Sequence, residues 1–370
     1  RLREEAREQL QRGSLSPALR LWRDVVGAPE DSELRRRLKC ICSLANPANI
    51  KVDKVTHRLV ANHDAEPYAE PYPQPEPQAQ RAQASRDRDH AAVAHLKWSA
   101  ALYVARSRDV EISEVYVREQ QNGIILDRVD HSRIYDNDCS FLSGWGLAMW
   151  RSNHNVISRN AFDFCVRGYS HGVYNRGQDS AGILMFEQCS NNTFIENSAT
   201  HGGDGFFSFA GKEALGEAAN MPHDFRHQRA GCNDNLFVGN DFSYAPAHGL
   251  EITFSFGNRM LNNRFVGNAI CGIWGGFSQD TLIEGNYFEA NGDSGYGLER
   301  GGVNIDRSRN NRVLGNEFVG NACGVHFWSL PTGFLEKPWG QANDLRALGN
   351  QLAGNRFRGD QVAVHLRGEV

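Results

Sequence analysis

Along this chain recurs a unit in which an asparagine is followed five residues later by a second one, with an apolar residue two positions after the first, and six copies set the repeat. The pairs are Asn155 and Asn160, Asn192 and Asn197, Asn235 and Asn240, Asn258 and Asn263, Asn311 and Asn316, and Asn350 and Asn355. Two further segments keep only the second asparagine, at Asn137 and Asn286. The resulting series advances by 23, 37, 43, 23, 23, 30 and 39 residues, a basic unit of 23 with insertions in some copies. A unit of that length suits three short strands joined by turns. Stacking such units in register puts equivalent residues one strand spacing apart, about 4.8 Å, so that side-chain amides can hydrogen-bond up the stack as a ladder. The repeat therefore predicts a solenoid of parallel coils.

A second register starts at a glycine in each coil: Gly123, Gly146, Gly182, Gly205, Gly249, Gly272, Gly302 and Gly324. Residues one and three after the glycine are mostly aliphatic or Phe, so strand alternation turns them into the core. Those two after then point outward, giving the column Ile125, Ala148, Leu184, Phe207, Glu251, Trp274, Asn304, His326. Those four after give Asp127, Trp150, Phe186, Phe209, Thr253, Gly276, Asp306, Trp328. A merely solvated face would be small and charged; this one carries aromatics among carboxylates and amides, which predicts a long face able to bind an extended polymer.

The Asn-x-apolar-x-x-Asn and glycine-led strand pattern, over about 107 to 370, resembles the right-handed β-helix repeat proteins of the pectate-lyase-like superfamily, including the NosD-like and other carbohydrate-binding and sugar-hydrolase repeat domains. The resemblance implies an all-β fold, a right-handed parallel β-helix of about nine coils over 96–370. It implies a polysaccharide as partner, but not which chemistry, because the superfamily includes lyases, hydrolases, epimerases, tailspikes and adhesins. Motif fragments such as Ser170-His171-Gly172 and Gly177-Gln178-Asp179 match polygalacturonases only superficially. The other catalytic motifs of polygalacturonases, alginate epimerases and pectate lyases are absent from the chain.

Ahead of the repeat, 1–64 is expected to be a short helical segment, since Leu2, Ala6 and Leu10 recur at helical spacing and Ser16-Pro17 can start a second helix. Residues 65–95, rich in Pro, Gln and charge, read as a linker. The net charge of -4 gives no reason to expect a nucleic-acid partner. No apolar run approaches the roughly 20 residues that span a bilayer. Eight cysteines occur singly or without metal-ligand spacing and read as buried fillers, so no metal site is expected. No cofactor is expected either, except Ca2+ if the protein is a lyase. No secretion signal is visible at Arg1, and the polysaccharide reading leads to an extracellular or periplasmic location.

Insertions in a solenoid emerge at turns and wall off part of its surface. Those at 168–181, 211–231, 291–301 and 330–343 flank the coils of Phe207, Glu251 and Trp274. Glu251, between two aromatics in the outward column, is a candidate general acid because an apolar setting disfavours its charged form. Asp204 and His248 each stand one residue before a register glycine, one coil apart, and can pair. The expected catalytic set is Glu251, Asp204, His248 and His171. Tyr174, Arg176, Asp179, Phe207, Phe209, Trp274, Asp306 and Trp328 are expected to hold substrate, with Glu213, Glu217, Asp224 and Arg300 as lesser candidates. Asp204 and Glu251 should have backbones about 11 Å apart, from roughly 3.3 Å per residue and 4.8 Å per coil. Leaning side chains would bring them to the 6.5–9.5 Å of an inverting glycoside hydrolase, read as about that range. The leading expectation is thus an enzyme that cleaves or modifies a polysaccharide, by inverting hydrolysis or by a lyase or epimerase route with His171 or Tyr174 as base. A non-catalytic polysaccharide-binding protein and a tailspike-like surface protein are the alternatives.

Overall fold

The glycine register is one continuous parallel sheet in the computed structural model of the chain, which describes residues 50–52, 59–61, 100–166, 180–218, 221–294, 299–329 and 333–368. Its ten strands run Ala100–Arg108, Asn122–Asp130, Trp145–Trp150, Ala181–Phe186, Asp204–Phe209, His248–Ile252, Cys271–Trp274, Gly301–Asp306, Cys323–Ser329 and Val362–Gly368. The asparagine register is a second sheet of nine strands, from Glu111–Ser113 to Gln351–Ala353. A third, shorter sheet holds Arg264–Val266, Tyr287–Glu289, Glu317–Val319 and Arg356–Arg358, and single parallel bridges carry it back through Asp241, Ser198 and Ala161 to Asp138. The expected right-handed parallel β-helix is the fold. The residues one after each glycine, among them Ile124, Leu147, Ile183, Phe206, Leu250, Ile273, Val303 and Val325, are buried in one core that runs the length of the stack.

The glycines are required by close approach. A Cβ on Gly249 would stand 2.8 Å from the carbonyl oxygen of Gly272, one on Gly272 2.7 Å from that of Gly302, and one on Gly302 2.6 Å from that of Gly324. Each distance is below van der Waals contact, so these interior positions admit no side chain while the coils keep their spacing. The end strands carry Ala101 and Ala363 at this place, next to the register pairs Ala100 with Asn122 and Cys323 with Val362. The glycine pattern therefore could not reveal them, and the expected nine coils fall one short of the ten strands.

The asparagine ladder forms as predicted, on the inside of a corner. Asn160 Nδ2 donates to Asn197 Oδ1 at 2.9 Å and to the carbonyl of Ile134 in the preceding coil at 2.9 Å, while its Oδ1 accepts the backbone N–H of Asn137 at 3.0 Å. The same contacts repeat through Asn240, Asn263, Asn286 and Asn316 to Asn355. A second ladder joins Asn155, Asn192, Asn235 and Asn258. A third, which the sequence reading missed, joins Asn268, Asn291, Asn321 and Asp360.

Two elements differ from expectation. Within 1–64, Ile50–Val52 and Leu59–Ala61 pair as antiparallel strands, beyond the stretch that carries the helical spacing. The rest of 1–64 and the 65–95 linker lie outside the described residues. This pair belongs to one compact unit, Arg1–Pro77 with Arg167–Asn175, and the β-helix to another, Gln78–Val166 with Arg176–Val370. Second, the insertions at 211–231 and 330–343 pack on each other. Trp339 is fully buried against Phe254, Phe256 and Phe277, and its indole N–H donates to the Ala230 carbonyl at 2.8 Å. Lys337 pairs with Glu217, and Asn343 Nδ2 donates to the His227 carbonyl at 3.0 Å. Phe209 joins this cluster edge-on to Phe254 instead of lining a groove.

Replacing Asn263 by Leu removes the donors to Phe237 O and Asn286 Oδ1 and the acceptor of the Asn240 N–H. At about 1–3 kcal/mol for each buried group left unpaired, the variant should lose several kcal/mol of stability. Gly272→Ala, which overpacks the coil junction, should cost about 1–3 kcal/mol. Urea midpoints within experimental error of wild type for either variant would contradict this account of the stack.

Candidate active site

Register and alternation put Phe207, Glu251, Trp274, Asn304, His326 and His365 in one column, each paired with the next coil's residue. Leu250 and Ile252 on either side of Glu251 are in the core, so Glu251 faces out. His248 lies three residues away, which a straight strand would put on the opposite face. It sits at the start of the strand, where the chain leaves a turn, and there the alternation breaks. The imidazole consequently meets both carboxylates: Nδ1 is 2.9 Å from Glu251 Oε2 and 3.3 Å from Asp204 Oδ1. Asp204 Oδ1 also accepts the His248 backbone N–H at 2.8 Å, which ties the two coils together.

Asp204 and His248 are almost wholly buried, whereas the Glu251 side chain keeps 16% exposure. Burial pushes the Asp204 carboxyl up to about 6, against the opposing pull of His248. Burial also works against a charged His248, but the close approach of the two carboxylates, Asp204 and Glu251, outweighs it and raises the imidazole to about 9. With no cation bound, the proton therefore resides on His248 at neutral pH, between two acids, and a metal ion binding there would displace it. The Trp274 ring lies against the imidazole, centroids 5.6 Å apart, which favours the cation further.

This geometry corrects the expected separation. Coordinating atoms of Asp204, His248 and Glu251 all lie within 4.8 Å of one another, too close for two carboxylates that flank a glycosidic bond in an inverting hydrolase. The estimate failed because it followed the strand directions, whereas His248 turns out of its strand and draws both acids to one nitrogen.

The outer face is also less open than the column of aromatics implies. Phe207 and Trp274 are half-buried, but Trp328 is only 7% exposed, with its indole N–H donating to Asn304 Oδ1 at 2.9 Å. The Arg307 and Arg367 guanidinium groups lie over its ring. Asp306 is buried and paired with Arg307, and burial raises its carboxyl to about 7. Ile125, Ala148 and Leu184 form a separate buried cluster with Trp150, Phe186 and Phe207 packed on it. A continuous aromatic groove from Phe207 to Trp328 is thus replaced by an apolar patch, the charged group, and a polar run. Glu213 is held by Arg151 at 2.9 Å and Glu217 by Lys337, so both serve the walls; Asp224 is exposed. Arg300 donates to the Gly292 carbonyl at 3.0 Å. His171, Tyr174, Arg176 and Asp179 lie outside the described residues. The sequence reading passed over His326 and His365, whose rings stack at 4.6 Å. His326 was visible in the outward column, but His365 follows Ala363 and was hidden with its coil.

The family model of the right-handed beta helix region matches residues 100–274, and that of NosD, described as a periplasmic copper-binding protein, matches residues 229–369. No curated protein matches. Among solved structures, the chain is similar to an A-module of a mannuronan C-5 epimerase of Azotobacter vinelandii, with 16% identity over 71% of this chain and 64% of that one and a TM-score of 0.46. It is similar to the catalytic unit of an α-1,3-glucanase of Streptomyces thermodiastaticus, with 10% identity over 69% of this chain and 50% of that one and a TM-score of 0.38. A surface adhesin of Streptococcus pneumoniae aligns with 8% identity over 77% of this chain and 89% of that one, at a TM-score of 0.34. The matched region spans 64% of the length of the first epimerase module and 62% of a second one from the same organism.

The Asp306 titration has a checkable sign. A folded-state value near 7 against an ordinary 3.8 favours the protonated, folded form, so its contribution is complete below about pH 4 and is lost as pH rises through 7. Asp306→Asn lacks this loss. Its stability relative to wild type should increase between pH 5 and pH 8, and a urea-midpoint difference that does not change with pH would contradict the assignment.

Proposed function

Because the chain is a right-handed parallel β-helix repeat protein, we propose that it is a carbohydrate-active protein of the periplasm or cell exterior whose long sheet presents an extended polysaccharide to Glu251. The observation that carries this reading is the Asp204–His248–Glu251 group itself: a buried ion-paired set that reaches the surface only at Glu251, between the half-buried rings of Phe207 and Trp274. Sugar rings present apolar C–H faces that stack on aromatic side chains, and an aromatic on each neighbouring coil would hold the chain across the carboxylate. Glu251 would exchange a proton with the sugar, while His248, braced by Asp204, holds it in place and supplies the compensating charge. One acid–base centre suits proton abstraction, as in a lyase or an epimerase, better than inverting hydrolysis.

The description of the NosD family model names copper, and a sulfur-bound copper(I) is not part of this reading. Copper(I) prefers thiolate and thioether donors, and the described cysteines, Cys139, Cys165, Cys189, Cys232, Cys271 and Cys323, are free but all buried. Burial carries the Cys139 thiol to about 12 and raises that of Cys165 as well, which disfavours thiolates there.

A second reading, binding without turnover, draws on one feature of the same group: the Asp204 contact to the His248 backbone needs no chemistry to account for it. The two are separated by incubating wild type and Glu251→Gln with neutral and uronic polysaccharides. Reducing ends, unsaturated-product absorbance and uptake of solvent deuterium into the polymer are the readouts. Wild type should turn over one substrate at least a hundredfold faster than the variant, which should still bind it. Variant activity within a few-fold of wild type removes Glu251 from the chemistry. A polymer that binds wild type but never reacts favours the binding module.

A further inference from the structure

Hydrogen bonding alone does not account for the way Asp204, His248 and Glu251 are arranged. An imidazole nitrogen offers either one proton or one lone pair, directed in the plane of the ring. His248 Nδ1 nevertheless has two carboxylate oxygens against it, at 2.9 and 3.3 Å, and neither is aligned with it as a hydrogen-bond partner. Asp204 Oδ2, in a side chain with no solvent exposure, has no partner, and neither has His248 Nε2. A buried polar atom of this kind takes a water or an ion as its partner, and here two such atoms face one another's ligating side chains.

Donors that converge off-axis at such distances are the arrangement expected around a shared cation. Two donors each roughly 2.1 Å from an ion lie roughly 3.0 Å apart at right angles and roughly 3.4 Å apart at the tetrahedral angle. We propose that Asp204, His248 and Glu251 form a site for a divalent first-row metal ion of the Zn2+ type. The donor set decides the class. One imidazole and two carboxylates suit Zn2+ or Mn2+, whereas Ca2+ seeks six to eight oxygens, about twice or more what the group supplies, and copper(I) seeks sulfur. Glu251 is the one ligand with an exposed edge, so further coordination positions would open on the side where a polymer lies. There the ion would supply a Lewis acid toward a sugar hydroxyl or carboxylate oxygen. The inference rests on the polysaccharide reading for its purpose but not for the site, which the distances and orphaned atoms carry.

The full chain, stripped with a chelator, is titrated calorimetrically with Zn2+, Mn2+ and Ca2+ in the absence of carbohydrate. One equivalent of Zn2+ per chain is expected and no uptake of Ca2+, with binding at least a hundredfold weaker in Asp204→Asn and His248→Gln. Since either buried substitution can unfold its coil, Glu251→Gln at the exposed edge is the third variant. It should keep the wild-type circular dichroism and bind Zn2+ at least tenfold more weakly. Wild-type protein that takes up no Zn2+, or stoichiometric uptake that persists unchanged in a folded Glu251→Gln, overturns the site. Absence of ion binding leaves the polysaccharide reading in place, and ion binding without any polysaccharide interaction removes that reading alone.

Discussion

Everything in this fold depends on how the backbone groups at the inner corners of the coils are satisfied. At each corner a buried N–H and a buried carbonyl point along the stack axis with no strand partner in position, and burial without a partner is prohibitive when repeated in every coil. Asparagine has an acceptor and two donors on a short side chain, so one residue can take the N–H of the coil before, donate to a carbonyl of that coil, and donate to the next amide. Asn197, which accepts from Asn160 N and donates to Ile157 O and to Asn240 Oδ1, does all three. Because each amide requires the next, the register cannot slip, and coils can lengthen only away from the ladders. That is why insertions as different as 14 and 20 residues leave the outward column aligned.

This alignment makes the charged group possible. Asp204 and His248 are 44 residues apart in the chain, with an insertion between them, and are nevertheless neighbours because Phe206 pairs with Leu250. The insertion does not shape the group from above. It packs against the 330–343 segment through Trp339 and the Lys337–Glu217 pair, which hold the two segments together. The site owes its geometry to rigid strands rather than to loops, which favours precise placement of the imidazole against both acids.

Sequence reasoning recovered what is periodic and local. The asparagine and glycine registers gave the sheets, and alternation correctly turned Phe206, Leu250 and Ile273 inward and Glu251 outward. It missed the third ladder because Asn268, Asn291 and Asn321 follow Asn263, Asn286 and Asn316 by five residues, so the same motif overlaps itself. It missed the end strands because Ala replaces Gly there. It misjudged distance and exposure for a different reason. The reach of His248 across a turn, the capture of Trp328 by Asn304, and the mutual packing of two insertions are cross-coil contacts, set by side-chain direction and by partners far away in the chain. No window of sequence contains both members of such a contact.

The position of the charged group along the stack has its own logic. On one side the column outside the core is apolar, with Ile125, Ala148 and Leu184 buried beneath half-buried Phe186 and Phe207; on the other it is polar, with Asn304, Asp306 and His326 buried and His365 half-buried. A charge at that boundary has low-polarisability neighbours on one side, which strengthens its interaction with the nearest opposite charge, and hydrogen-bonding groups on the other. Under the polysaccharide reading the same boundary gives the ligand a direction. A polymer lying along the stack would set ring faces on the half-buried Phe207 and Trp274 and hydroxyl or carboxylate groups toward the half-buried His365, with the reacting unit at Glu251. An all-aromatic groove would let the chain slide; a face that changes character at the acid would fix which sugar unit stops there.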